Sequence, residues 1–342
     1  MKRLRLAHLP TPIDHPRRLG EAMGIDLWVK RDDCTGGPEA GNKVRKLELL
    51  LADALEQGCD TLLTCGGIQS NHARATAVLA AALGLRAVLY LRVPTLSADG
   101  EGKGVAYSPE LAALTGNVLI DCLVGAELRL ITAQTYARRD ELLAEAADEL
   151  RTAGARPYVI AEGGSSGLGA LGYVEAMAEV RQQLDQGLGG GKPFDLVVHA
   201  CGSGGTAAGV ALGAARYEVA ARACAMAVCD DAPSFTSRIR DIIEQARAID
   251  PSLRRQEPVP WSVDDRAKGP AYAEASEAQL RRMIQASRLS GLALDPVYTG
   301  KALVGLWSLC EQGAVRAERV LFIHTGGLPG LLAQADTFAP LL

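Results

Sequence analysis

The sequence is poor in several features that point to common classes of protein. Aromatic residues make up only 4% of the 342 residues, so nothing supports an aromatic platform for single-stranded nucleic acid. Its 36 Lys and Arg against 40 Asp and Glu leave a net charge of -4, without the basic surplus that binds a phosphate backbone. We therefore expect no nucleic-acid partner.

Metal and membrane signatures are missing as well. The five histidines show neither HxxxH nor HxH spacing, and the eight cysteines form no CxxC pair, so we expect reduced thiols and no metal site. No apolar run reaches the ~18 residues that a membrane helix needs. The basic N-terminus also lacks the apolar segment of a signal peptide. We expect a cytoplasmic protein with no membrane partner.

Glycine, in contrast, is abundant: 37 of the 342 residues are glycine, which is about 11% against a usual content of ~7%. The composition is otherwise that of a globular protein, with 48% hydrophobic and 22% charged residues, and the length allows about two domains. The positions of the glycines are therefore the most informative feature of the composition.

Short apolar runs alternate with longer segments of helical periodicity along the whole chain. The predicted strands are Asp26–Val29, Thr61–Cys65, Ala87–Leu91, Asn117–Ile120, Tyr158–Ala161, Leu196–Ala200, Ala225–Cys229 and Val320–His324. The predicted helices are Lys43–Gln57, Asn71–Leu83, Ile131–Thr152, Ala170–Gln186, Gly205–Arg216, Ser234–Ile249, Glu274–Ser290 and Lys301–Glu311. This alternation predicts an α/β fold of two doubly wound, mostly parallel sheets with helices on both faces.

Five glycine-rich turns lie beside these predicted elements. They are Gly41–Lys43, Cys65–Asn71, Glu162–Gly167, Cys201–Thr206 and His324–Gly327. Ligands of open α/β sheets bind at the carboxyl ends of the strands, where such turns meet. We therefore expect the five turns to form one site.

The turn that contains Gly202, Ser203, Gly204, Gly205 and Thr206 follows a strand and begins a helix. Its backbone N–H groups and the helix dipole suit an anion, although the same residues also suit a simple tight turn. The turn matches neither a Walker motif nor a dinucleotide fingerprint. A small phosphorylated cofactor is thus favoured over a nucleotide.

Two other positions carry candidate chemistry. Gln69, Ser70 and Asn71 offer donors that suit a carboxylate, although Ser70 or Asn71 could also be a plain helix N-cap. Lys43 lies among cations and glycine turns, where a lysine with a lowered pKa can form a Schiff base; alone, it would be an ordinary exposed helix lysine.

Taken together, the motifs resemble the pyridoxal-phosphate enzymes of the tryptophan synthase β-subunit fold. Within that fold the chain looks like the group of D-cysteine desulfhydrase, 1-aminocyclopropane-1-carboxylate (ACC) deaminase and L-cysteate sulfo-lyase. The matching segments are LPTP (9–12), KRDD (30–33), GNKVRKLE (41–48), GGIQSNH (66–72), RPYVI (156–160), GALGYVEA (169–176), GSGGT (202–206), DPVYTGKA (295–302) and FIHTGG (322–327).

The resemblance implies a role for each matching residue. Lys43 would bind pyridoxal 5'-phosphate as a Schiff base and then handle the substrate α-proton, and Asn42 would contact the ring hydroxyl. The turn 202–206 would hold the phosphate, and the loop 69–71 the substrate carboxylate. Tyr298 and Tyr272 would be the two active-site tyrosines, with Tyr272 at the end of the proline-rich segment 251–270.

Two threonines bear on the reaction. ACC deaminases typically carry Glu and Leu at the positions that match Thr299 and Thr325. A threonine would leave the pyridine nitrogen largely neutral, which is a weaker electron sink than ring opening needs but is sufficient for loss of a good β-substituent. The resemblance therefore implies β-elimination on a cysteine-like amino acid, with D-cysteine first, L-cysteate next and ACC after it.

The resemblance also implies an organisation for the chain. Residues 1–45 and 161–342 would form a large cofactor-binding domain, residues 46–160 a small domain, and two copies a homodimer. A non-catalytic ligand-binding protein of the same fold is the alternative from another class.

Overall fold

The computed structural model describes residues 2–100 and 102–342 and contains two β-sheets flanked by helices. In chain order the strands are β1 (Ile13–Asp14), β2 (Asp26–Lys30), β3 (Thr61–Gly67), β4 (Arg86–Arg92), β5 (Val105–Ala106), β6 (Glu127–Ile131), β7 (Pro157–Val159), β8 (Phe194–Cys201), β9 (Ala220–Ala227), β10 (Trp261–Asp264) and β11 (Arg319–Ile323). The larger sheet has the order β1-β2-β11-β8-β9-β10, and the smaller sheet β5-β6-β4-β3-β7.

Helices connect the strands and cover the sheets. They are α1 (Arg17–Met23), α2 (Lys43–Glu56), α3 (Asn71–Ala82), α4 (Gly116–Leu123), α5 (Ala133–Ala137), α6 (Arg139–Thr152), α7 (Gly167–Asp185), α8 (Gly205–Arg216), α9 (Ala232–Ile249), α10 (Glu277–Ser290), α11 (Thr299–Glu311), α12 (Leu328–Leu332) and α13 (Ala335–Phe338). Among the described residues, none of these helices combines the length and apolarity required to cross a membrane.

All strand pairs are parallel except β1 with β2 and β5 with β6, which lie at the sheet edges. The central strands are buried on both faces, and every residue of β3 is buried. Burial on both faces explains why their sequences are continuous apolar runs rather than alternating ones. The predicted α/β class with two mostly parallel sheets is confirmed.

The strands of each sheet come from separate parts of the chain. Strands of the larger sheet lie in residues 13–30 and 194–323, and those of the smaller sheet lie in residues 61–159. This distribution supports the division into residues 1–45 with 161–342 and residues 46–160, which stays a prediction.

Two predicted elements are wrong. Asn117–Ile120 belongs to helix α4, which buries Asn117, Val118 and Asp121 on one face; a four-residue apolar run cannot distinguish a strand from a buried helix turn. The predicted helix Ile131–Thr152 begins with the last residue of β6 and then divides into α5 and α6. The proline-rich segment 251–270 contains the edge strand β10, for which no strand was predicted.

A buried ionic network lies beside the first turn of α2. Arg45 donates to Asp32 through Nε (2.9 Å) and Nη2 (2.7 Å), and its Nη1 donates to Glu179 (3.0 Å). Lys30 donates to Glu179 (2.5 Å), and the Tyr173 hydroxyl donates to Asp32 (2.6 Å). Asp32, Lys30 and Tyr173 have no exposed surface, so these groups depend on one another to compensate for lost hydration. The network thus fixes the start of α2 against β2 and α7.

Candidate active site

One cavity collects turns from both sheets. It lies at the carboxyl ends of β3, β8 and β11 and at the start of α2. Its lining residues are Asn42, Lys43, Gly66, Gly67, Ser70, Asn71, His72, Glu162, Gly163, Ala200, Cys201, Gly202, Ser203, Gly204, Thr206, Ala207, Tyr272, Tyr298 and Thr325. Eleven of the fourteen predicted site residues are among them; Gln69, Gly205 and Thr299 are not.

Lys43, the first residue of α2, points into this cavity and is only partly exposed. Its Nζ donates to Asn42 Oδ1 (3.2 Å), and among the described residues it forms no ion pair with a carboxylate. Burial lowers its pKa to about 8, an effect that Cys201 and Glu162 partly oppose. A substantial fraction of the amine is therefore neutral near pH 8, which is the nucleophilic form.

The turn 202–206 forms an N-terminal cup for α8. Gly204 adopts φ +93°, a left-handed conformation that favours glycine, and α8 begins at the next residue. The Thr206 hydroxyl accepts from Asn42 Nδ2 (3.1 Å), which links the cup to the start of α2. A Cβ on Gly202 would lie 3.0 Å from the Tyr298 ring, so glycine keeps the cup open. The cup presents main-chain donors to an anion.

The backbone N–H of Gly205 is already hydrogen-bonded within the protein, since it donates to Ser165 Oγ (3.1 Å). Ser165 Oγ also lies 2.7 Å from Ser203 Oγ. Lys46, one turn after Lys43, donates from Nζ to Gly163 O (3.1 Å) and to Ser165 Oγ (3.4 Å). Burial, and then the charge of Lys43, lower the pKa of Lys46. A second amine thus stands next to the anion cup.

The side chains of the loop after β3 point in two directions, some into the cavity and one towards α4. Ser70 Oγ accepts from Ala73 N (3.2 Å), so Ser70 is the N-cap of α3 and also lines the cavity together with Asn71. Gln69 instead binds the start of α4, where Oε1 accepts from Asn117 N (2.8 Å) and Nε2 donates to Thr115 O (3.0 Å). The side chain of Gln69 therefore holds this loop against α4.

Two tyrosines close another side of the cavity. The hydroxyls of Tyr272 and Tyr298 are 2.6 Å apart, and their rings meet edge to face with centroids 6.0 Å apart. Burial raises the pKa of both phenols, so both stay protonated at neutral pH. The pair can therefore donate or pass a proton without carrying a charge.

The two threonines occupy different positions. Thr325 lines the cavity, whereas the Thr299 hydroxyl is fully buried and donates to Asp295 Oδ1 (2.6 Å). Asp295 also accepts from the backbone N–H groups of residues 297–299 and so caps the start of α11. Thr299 therefore belongs to the support of Tyr298.

The sequence assigns no role to four residues at or beside the cavity, Glu162, His72, Cys201 and Lys46, although Glu162 and Cys201 begin two of the predicted glycine-rich turns. Glu162 lines the cavity and pairs with Arg139 (3.0 Å), and the Tyr136 hydroxyl also donates to it. Lys46 also had a local signal, because it lies three residues after Lys43 on the same face of one helix.

The donor set fits the cofactor that the motifs imply. A phosphorylated aldehyde needs an anion cup and an unpaired amine, and here the 202–206 turn and Lys43 open into one cavity. Glycine also permits close approach opposite the cup, because a Cβ on Gly67 would lie 2.6 Å from the Tyr272 ring. Pyridoxal phosphate carries both of the required groups.

Comparisons with known proteins agree with this site. The family model described as "Pyridoxal-phosphate dependent enzyme" matches residues 4–326. A bifunctional D-cysteine desulfhydrase/ACC deaminase of Arabidopsis thaliana is 41% identical, over 98% of this chain and 81% of that protein. A D-cysteine desulfhydrase of Klebsiella pneumoniae is 38% identical, over 97% of this chain and 95% of that protein.

A solved structure shows the same architecture. The crystal structure of an ACC deaminase homologue superposes with a TM-score of 0.87 at 35% identity, and the match covers 100% of this chain and 97% of that one. With relatives of this identity matched over nearly the full length of this chain, the resemblance drawn from the motifs is confirmed. The chain belongs to the pyridoxal-phosphate dependent enzymes, and pyridoxal phosphate is its cofactor.

Proposed function

We propose that this enzyme removes the β-substituent from a cysteine-like amino acid, and that its reaction is the conversion of D-cysteine and water to pyruvate, sulfide and ammonia. The observation that carries the choice is the threonine pair: Thr299 stands where ACC deaminases typically carry a glutamate that would keep the ring nitrogen protonated, and Thr325 lines the cavity. A hydroxyl leaves that nitrogen largely neutral, which suits expulsion of a good leaving group more than ring opening. The similarity to a protein named D-cysteine desulfhydrase supports the same choice, and the bifunctional relative carries that activity in its name together with ACC deaminase.

The residues that would hold the cofactor follow from the donors present. We propose that Lys43 binds it covalently, that Asn42 contacts its ring hydroxyl and that residues 202–206 bind its phosphate. Bound pyridoxal phosphate withdraws electrons from the substrate α-carbon, which makes the α-proton acidic. The amine of Lys43, once the substrate's own amine has displaced it from the cofactor, would remove that proton, and its lowered pKa of about 8 lies near neutral operating pH.

Substrate orientation and the later proton transfers fall to other side chains. Ser70 and Asn71 would bind the substrate carboxylate, with Gln69 fixing the loop that carries them. Tyr298 and Tyr272 are both protonated and share a hydrogen bond of 2.6 Å. We propose that this pair donates a proton to the departing sulfur, so that it leaves as neutral hydrogen sulfide, which is a better leaving group than the HS− anion in a low-dielectric site.

One experiment tests the proposal. Purified enzyme is supplied in parallel with D-cysteine, L-cysteate and ACC, and sulfide, sulfite and 2-oxobutyrate are measured. We expect sulfide from D-cysteine as the fastest product. Sulfite as the main product would make the enzyme an L-cysteate sulfo-lyase, and 2-oxobutyrate would make it an ACC deaminase. No turnover together with a colourless protein would support a non-catalytic ligand-binding protein and overturn the proposal.

We also propose that the enzyme is a cytoplasmic homodimer. Helix α12 packs against α4, and this neighbourhood carries exposed leucines. They are Leu114 (45% exposed), Leu119 (46%), Leu123 (79%), Leu328 (54%) and Leu332 (66%). Adjacent exposed leucines are typical of an interaction surface, and twofold dimers are the commonest homo-oligomers.

Light scattering tests the homodimer. We expect a mass twice the 36.0 kDa of the chain, and we expect Leu123→Glu combined with Leu332→Glu to return it to that of one chain. Leu188→Glu is the matched control, because Leu188 is also 49% exposed but lies in the turn before β8. A wild-type mass of 36.0 kDa, or a double variant that stays dimeric, contradicts this assignment of the surface.

A further inference from the structure

Lys301 is a buried cation for which the reaction proposed above has no use. It lies in the first turn of α11 and has no exposed surface. Its Nζ donates to three main-chain carbonyls: Lys268 O (2.6 Å), Ala271 O (2.8 Å) and Val228 O (3.3 Å). An ammonium group has three N–H donors, so these contacts satisfy all of them.

No carboxylate forms an ion pair with Lys301 within residues 2–100 and 102–342. Burial lowers its pKa to about 8, so the group is still mainly protonated at neutral pH. A buried charge without a counter-ion is costly unless hydrogen bonds replace its water. The three carbonyl oxygens therefore replace the water around the Lys301 ammonium group. In turn, the hydrogen bonds from the ammonium group hold the three carbonyls in place.

Two of these carbonyls belong to the segment that carries Tyr272. This segment, residues 268–273, is irregular: Gly269 adopts φ +76°, and Ala273 adopts φ +64°. A left-handed conformation is uncommon for alanine and persists only where surrounding contacts impose it. The bonds from Lys301 to Lys268 O and Ala271 O lie just before Ala273 and supply such contacts.

The other end of the connection is Tyr298. It immediately precedes α11, three residues before Lys301, so one helix start bears both. Lys301 thus ties the Tyr272 segment to the helix that carries Tyr298, and the two phenols meet at 2.6 Å. The Tyr272 ring is also confined by Arg92, whose guanidinium lies 5.1 Å from the ring centroid.

We propose that Lys301 is a positioning residue that acts as a built-in cation: by binding the carbonyls of Lys268 and Ala271, it sets Tyr272 in register with Tyr298 for proton transfer. This inference rests on the proposed function in one respect, namely that the tyrosine pair handles protons in the reaction. It assigns Lys301 no contact with substrate or cofactor.

A double-mutant cycle tests the link to Tyr272. Lys301→Met, Tyr272→Phe and the double variant are compared with the wild type, using whichever of the three amino acids the wild type turns over. We expect each single change to lower kcat by about 10- to 100-fold, since small displacements of a reacting group cost that much. If Lys301 acts through Tyr272, the double variant loses no more than the worse single one; losses that multiply overturn the proposal.

The same variants must keep the cofactor. We expect Lys301→Met to retain the wild-type visible absorption band and a KM within about twofold, because Lys301 acts on a proton-transfer group and not on binding. Loss of the band in Lys301→Met would show general damage to the site and would also overturn a positioning role. Lys192→Met, a change at an exposed lysine, serves as the control.

Trypsin supplies a readout that does not depend on the substrate. Cleavage of the native holoenzyme after Lys268 is followed by mass spectrometry, and we expect it to be at least about tenfold faster in Lys301→Met, because the segment loses its anchor. Equal rates in the two proteins overturn the proposal. If the wild type turns over none of the three amino acids, the proposed function fails, whereas the cleavage rates still decide whether Lys301 anchors the segment.

Discussion

Replacing Lys43 by alanine is expected to abolish both turnover and the visible absorption of the bound cofactor. The cavity offers no other amine at this position, because Lys46 is held by Gly163 O and Ser165 on the far side of the anion cup. Loss of the covalent attachment and of the α-proton base together should lower kcat by more than about 10³-fold. Absorption spectroscopy and a sulfide assay measure the two effects.

Lys43→Arg is the informative companion. It keeps a cation at the start of α2, but a guanidinium stays protonated and can neither bind the aldehyde nor accept the α-proton. We expect it to be as inactive as Lys43→Ala, while Lys192→Ala, at an exposed position, retains the wild-type rate and colour. A Lys43→Arg enzyme with more than about a tenth of the wild-type kcat would show that Lys43 acts only through its charge.

The largest loss of stability is expected from Asp32→Ala. Asp32 has no exposed surface and accepts from Arg45, Tyr173 and Thr11 (2.8 Å). Its removal leaves the Arg45 guanidinium buried with an incomplete set of partners, which typically costs about 3–5 kcal/mol. Chemical denaturation of the holoenzyme, followed by circular dichroism, measures the change in the free energy of unfolding.

An exposed carboxylate gives the matched control. Glu277 pairs with Arg281 four residues later on the surface of α10, and such pairs contribute about 0.3–0.5 kcal/mol. We expect Glu277→Ala to change stability by no more than that. If Asp32→Ala lowers the free energy of unfolding by less than about 1 kcal/mol, water or a rearranged Glu179 replaces the carboxylate. The groups of the network then do not depend on one another.

The stability that Asp32 contributes should also depend on pH. Burial opposes ionisation of this carboxyl, but Arg45 and Lys30 more than offset it, so its pKa lies below the ordinary value. A group of this kind stabilises the fold above its unfolded pKa, and the contribution is lost as the pH falls through the folded pKa. The difference in the free energy of unfolding between the wild type and Asp32→Ala should therefore become smaller as the pH is lowered.

Much of the fold could be predicted because its signals are local. Helix α8 begins and ends at the predicted residues, since Gly204 with the following small residues starts it and Arg216 ends it. The predicted strand Asn117–Ile120 is wrong for the opposite reason: this segment is a helix whose burial depends on α3 and α12, which pack against it but are distant in sequence. Strand β6 was missed because its alternating pattern lies directly beside a helical one.

The parts of the candidate site that lie in glycine-rich turns could be predicted from the sequence. The residues that are placed only by tertiary packing could not. The turns at Gly66, Gly163 and Gly202 all reach the cavity, as expected from strand ends that meet at one edge. Lys301 carries no comparable local signature, because its role arises from carbonyl groups contributed by other elements. The direction of Gln69 likewise depends on α4, whose existence the sequence reading did not foresee.

The order of strands in the larger sheet has a consequence for biosynthesis. Strand β11 lies between β2 and β8, and Val29 of β2 pairs with Phe322, so β11 joins the first two strands of the chain to the rest of the larger sheet. No nascent chain that ends before Ile323 contains the complete sheet, whereas every strand of the smaller sheet has already been made by Val159. The turn 202–206, which we propose as the phosphate site, is therefore translated well before the strand that completes the sheet behind it.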